Sequence, residues 1–225
     1  MVAAVSGNFD WDKARDLVEQ GCTGWERKEV KRELTDTKGS RQKERVEKPN
    51  LVREHVCLMS PAVSAEDPRR FAASLLSEIT GDDVGSRFFW ELVDKAIAES
   101  ASMEFSPMDG TGAYLTYVRC SSKNTDQALE IIKKIFADLA KTGVTEDELT
   151  KAKNKVLSAL VIKNELPMGR LVDLGFNWTY LGQYRSIEED VKSIKTVTVA
   201  GINALLKDYP LGDFAQFSLA PAQNG

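Results

Sequence analysis

Histidine is almost missing from this chain: His55 is the single example in 225 residues. A hydrolytic zinc site takes at least two imidazoles and a carboxylate on the metal, and no His-x-x-Glu-His runs in either direction. Metal-activated water is therefore excluded from this chain's own chemistry, and no metal ligand or catalytic residue is assigned to it. A serine or cysteine triad would have to use His55 as its base. Ser60, Cys57 and Cys120 all lack a Gly-x-Ser-x-Gly type of setting, which leaves no activated nucleophile. Cysteine is scarce too. Cys22, Cys57 and Cys120 are an odd number with no Cys-x-x-Cys spacing, and they read as reduced, structural thiols.

Other absences narrow the field further. No apolar run approaches the ~20 residues that cross a bilayer. Val2–Val5 is too short for a signal sequence, and Asp10 and Asp12 follow it at once, so a soluble, cytoplasmic protein is expected. The net charge of −4 argues against nucleic acid or an anionic membrane as the main partner. The basic run Lys38–Arg45 is diluted by Glu29, Glu33, Asp36, Glu44 and Glu47, as in a solvated connection. Gly81–Gly85 lacks the Lys-Ser/Thr of a phosphate loop and reads as a break between helices. The pairs Asp82/Asp83 and Glu188/Glu189 suit turns and helix starts.

What is present is an ordinary globular mixture, 42% hydrophobic and 28% charged, long enough to bury a core. Val2–Ser6 reads as a strand. Asn8 or Asp10 then caps a helix to Gln20 with Ala14, Leu17 and Val18 inward. Residues 24–48 form a charged connection, and Leu51–Met59 alternates like a strand that holds a structural His55. Asp67-Pro68 marks a helix start with Ala72, Leu75, Leu76 and Ile79 on one face. Gly85-Ser86 opens a further helix, read as reaching Ser100, with Phe88, Phe89, Leu92, Val93 and Ala96 inward. A hairpin follows, Ala101–Ser106 and Ala113–Cys120 around Pro107–Gly110; of Tyr114 and Tyr117, one faces the core and the other a surface groove. Thr145-Glu-Asp-Glu148 and Ser186-Ile-Glu-Glu189 are capping boxes, Pro167 starts a helix toward Leu181, and Thr198 caps a helix to Lys207. Phe214–Leu219 closes the sheet, and 221–225 is a tail. The pattern is α+β with a mainly antiparallel sheet.

At Ser86-Arg-Phe-Phe-Trp-Glu-Leu92 the chain resembles a helix of the pitrilysin/insulinase-type zinc peptidases, a family that includes the mitochondrial processing peptidase. Val46-Glu-Lys-Pro49, Ser60-Pro-Ala62, Glu66-Asp-Pro68, Tyr114-Leu-Thr-Tyr117 and Gly143-Val-Thr-Glu-Asp-Glu-Leu149 agree in order, as does the start at Val2–Trp25. The resemblance covers nearly the whole chain and is to the second, non-metal domain. It implies one half of a metallopeptidase clamshell: a six-stranded, mostly antiparallel sheet with helices packed against it, spanning 1–225 as a single domain. It implies that the metal-binding N-terminal half is absent from this chain, which accounts for the abrupt start on a strand. Zinc is then expected in that missing half, none here, and the expected partners are the homologous half or subunit, a peptide substrate, and a second copy in a homodimer. The family's second half offers an arginine and a later tyrosine to hold substrate and stabilise the oxyanion. Registered on Ser86-Arg87, these positions are Val93 and Ser100. Neither supplies an equivalent donor, so main-chain pairing to a strand edge or loss of catalysis follows.

Overall fold

The computed structural model describes residues 2–26, 28 and 40–222. Its centre is a sheet in the order β1-β5-β2-β4-β3, formed by β1 (Lys43–Lys48), β2 (Glu54–Ala62), β3 (Ser100–Pro107), β4 (Gly112–Cys120) and β5 (Ala215–Pro221). Only β1 and β5 run parallel; the other neighbours are antiparallel. The helices are α1 (Trp11–Cys22), α2 (Arg70–Gly81), α3 (Thr125–Thr142), α4 (Glu146–Glu165), α5 (Pro167–Leu181), α6 (Ile187–Thr196) and α7 (Val199–Asp208).

The α+β architecture is the expected one, with five strands among the described residues rather than six. The missing strand is Val2–Ser6, which has no regular structure. Ala4 lies against Gly175 of α5; the segment pairs with no strand of the sheet, and Val2 and Val5 stay exposed. Helix α1 also departs from expectation. Asp10 caps it by accepting from the Lys13 amide at 3.1 Å. Its apolar stripe is bare, however: Leu17 and Val18 are exposed and no α1 residue is buried. Of the 24–48 connection, residues 27 and 29–39 lie outside the described set, and its end forms the exposed edge strand β1.

The core lies on one face of the sheet. Period-two alternation sends Val56, Leu58, Met103, Tyr114 and Val118 inward, where they meet Leu75, Leu76, Ile132, Leu139, Ile202 and Leu205 from α2, α3 and α7. Both capping boxes form, Thr145 with Glu148 and Ser186 with Glu189. Asp67 is not the N-cap of α2. Its carboxylate accepts from the Arg69 amide at 2.8 Å and from the Arg69 guanidinium, and the cap position passes to Arg69.

The largest local difference follows Arg87. The helix read as reaching Ser100 closes in a π-helical turn at Phe89–Val93. The Ile97 and Ala98 amides then donate back to the Leu92 carbonyl at 2.9 and 3.0 Å. That reversal puts Ala96 at φ 55°, a left-handed conformation in which a Cβ is strained. β3 therefore begins already at Ser100.

Candidate functional site

The strand alternation that buries one side of the sheet aims the other side outward. Arg53, His55, Cys57 and Met59 of the β2 region, Leu115, Tyr117 and Arg119 of β4, and Phe217 and Leu219 of β5 share this outer face. Tyr117 is 39% exposed and Phe217 43%. Together with Val46, His55, Cys57 and Leu219 they line a shallow groove of about 310 Å³. As expected, one tyrosine of the hairpin is core (Tyr114) and the other lines this groove.

His55 is half-buried and engaged. Its Nδ1 shares a hydrogen bond with the Tyr117 hydroxyl, and the rings sit 5.9 Å apart. Beside them Glu99 accepts from Arg53 and forms an ion pair with Arg119 at 3.3 Å. The hydrogen bond from Arg53, with the charges of Arg53, Arg119 and His55, holds the Glu99 carboxyl below its ordinary range. Nothing in the family motif pointed to this cluster. The signal available was the period-two placement of Arg53, His55, Tyr117 and Arg119 on outward positions of paired strands. Burial pushes the Cys57 thiol up, which disfavours the reactive thiolate.

Val93 and Ser100 flank the 94–97 reversal. Val93 packs against the core. Ser100 is half-buried at the start of β3, opposite Arg119. Neither side chain places a charged or phenolic donor on the outer face, and the adjacent Glu99 is already committed to two arginines. Arg87 is structural: its guanidinium grips Glu148 at 2.7 and 3.0 Å and the Gly143 carbonyl at 3.0 Å. That clamp ties the turn before β3 to the start of α4.

The donor set does not fit a zinc ion. The one imidazole is bonded to Tyr117, and no group of three His, Cys, Asp or Glu among the described residues could hold a metal. No described helix is long and apolar enough to cross a membrane.

The fold is an α+β domain whose sheet is covered by helices on one face and open on the other. The chain belongs to the family described as the peptidase M16 inactive domain, which it matches over residues 1–156. It is 27% identical over 213 residues to an uncharacterised zinc protease of Mycobacterium tuberculosis, covering 92% of this chain and 48% of that one. With the uncharacterised zinc protease YmxG of Bacillus subtilis it shares 24% over 171 residues, 76% of this chain and 42% of the relative. The chain thus spans about half the length of these curated relatives. The fold matches the crystal structure of a peptidase M16 inactive domain from Pseudomonas fluorescens, with a TM-score of 0.84 at 18% identity, covering 96% of this chain and 52% of that one. A chain of complex III2 from Candida albicans matches with a TM-score of 0.82 at 19% identity, over 95% and 53% respectively.

Proposed function

We propose that this chain is the substrate-clamping, non-metal half of a zinc-dependent endopeptidase, working with a metal-bearing homologous half in another domain or chain. The observation that carries the reading is the open sheet face. A sheet whose inner side is fully packed leaves Val46, Met59, Tyr117 and Phe217 exposed on its outer side. Contiguous apolar surface of this kind is what a partner or an extended peptide covers. Helix α1 adds a second bare apolar stripe, with Trp11, Leu17 and Val18 exposed. In the assembled enzyme the other half supplies zinc to polarise the scissile carbonyl and activate water. This half supplies orientation. β3 is an edge strand, so an extended peptide gains main-chain hydrogen bonds along it without any side-chain donor from Val93 or Ser100.

Those two residues favour a second reading, a non-catalytic paralogue that scaffolds a partner. Mixing the purified chain with a metal-bearing homologous half separates the two. The clamp reading expects a one-to-one complex that cleaves peptides when neither half alone does. A stable complex without turnover favours the scaffold, and no complex at all removes both.

A further inference from the structure

A second cavity, of about 530 Å³, opens away from the sheet between the start of α2, the α5–α6 connection and the start of α7. Three arginines border it, and their charges are balanced very unequally. Arg69 is held by Asp67 at 2.8 Å and Asp208 at 2.6 Å. Arg185 donates to Asp190 at 2.8 Å and to the Ser193 hydroxyl at 3.0 Å. Arg70 donates only to the Ala65 carbonyl, at 2.7 Å, and forms no ion pair among the described residues.

Of the acidic groups whose fields reach Arg70, Asp190 is paired with Arg185; Glu66, which also borders the cavity, accepts from the Gly110 amide at 3.2 Å and makes no ion pair with Arg70. Arg70 and Arg185 both lie over the ring of Phe71, at 4.9 and 5.4 Å from its centroid. One ring thus holds two like charges close together. Burial, then the nearby Arg185 charge, push the Arg70 pKa down. A half-buried cation with no carboxylate in direct contact is costly. The same cavity is lined by Thr198 and Gly201 at the first turn of α7, the positive end of that helix.

We propose that this cavity binds an oxyanion, a carboxylate or phosphate group, which ion-pairs with Arg70 and faces Arg185 and the α7 N-terminus. An anion there would sit in direct contact with that charge and relieve the repulsion across Phe71. The guanidinium fork suits both groups, since each presents two oxygens side by side.

The test is calorimetric titration of the full chain at fixed ionic strength, with inorganic phosphate and with a short peptide carrying a free or an amidated C-terminus. Saturable binding is expected, weakened at least tenfold in Arg70→Met, which keeps an apolar stem over Phe71 and removes the charge. Lys207→Met, which removes a cation that does not line the cavity, should bind as the unmodified chain does. Phosphate saturating alone assigns a small oxyanion. Binding of the free peptide that is lost on amidation assigns a peptide terminus. Should Arg70→Met fold poorly, the unmodified chain still decides, because bound phosphate should shift the backbone amide resonances of residues 199–202 saturably. No saturable binding by either probe, or equal affinity in a folded Arg70→Met, overturns the proposal.

Discussion

The two faces of the sheet come from the same strands and have opposite fates. In β2, Val56 and Leu58 are sealed under α2 and α7, while His55, Cys57 and Met59, one residue away in each direction, look outward from the other side. In β4 the same contrast separates Tyr114 and Val118 from Tyr117 and Arg119. An antiparallel sheet with one wet face usually carries polar side chains there. Here the outer face, beside Arg53, His55 and Arg119, also keeps Val46, Met59, Leu115, Tyr117, Phe217 and Leu219. Retaining apolar residues on the open side costs solubility and adds nothing to an isolated core. Stability is built on one side, and the proposed function assigns recognition to the other.

Substitutions on facing positions give the sharpest break in that comparison. Leu58→Ala should cost about 3 kcal/mol, as large-to-small changes in a sealed core do, whereas Met59→Ala next to it should cost less than about 0.5 kcal/mol in the isolated chain. Denaturant unfolding of both variants measures this directly, and equal losses would erase the distinction between the faces.

The next effect concerns the clamp that holds the β3 approach to α4. Burial pushes the Glu148 carboxyl up, but Arg87 and the Thr145 amide and hydroxyl outweigh it and hold the group below its ordinary value of 4.5. A depressed folded pKa means stability present above the ordinary value and lost as pH falls through the folded one. Glu148→Gln should therefore lose about 2 kcal/mol at neutral pH, and the gap to the unmodified chain should narrow as the pH falls below the carboxyl's ordinary value of 4.5. A gap that stays constant across the acid range would show that the pair contributes only packing.

Smaller still are two changes at strained or unpaired positions. The Tyr114 hydroxyl is buried with no hydrogen-bond partner among the described residues, and burial pushes its pKa up. Tyr114→Phe should thus be neutral or stabilising by up to about 1 kcal/mol. Ala96→Gly at φ 55° should stabilise by about 0.5–1 kcal/mol. Thermal melts of both variants check these signs, and a clear loss in either would mean a partner or packing role for the side chain removed.

Much of this architecture could be read in the residues because its signals are local. Thr145/Glu148 and Ser186/Glu189 satisfy helix-end amides within three positions, and the hairpin strands alternate cleanly around Pro107–Gly110. Elements whose state depends on distant partners were less legible. Val2–Ser6 has strand-like residues but pairs with no strand of the sheet, and the stripe on α1 has the right period with nothing opposite to bury it. The end of the Arg87 helix was hidden because Val93–Ala98 lacks glycine or proline, and the reversal rests on amides returning to the Leu92 carbonyl. For the candidate site, Val93 and Ser100 follow from alignment to a motif. The Arg53–Glu99–Arg119 cluster and the groove at Phe217 depend on cross-strand register, which pairs residues far apart in the chain.

The most direct measurement of the central claim is association of the chain with a metal-bearing homologous half before and after Phe217→Glu. This change places a charge in the centre of the outer groove and leaves the packed face untouched. The account predicts that the isolated variant melts within a few degrees of the unmodified chain, while its affinity for the other half and the peptide turnover of the mixture both fall at least tenfold. Unchanged association and turnover, with the variant folded, would contradict the claim that the open sheet face is where this half meets its partner and substrate.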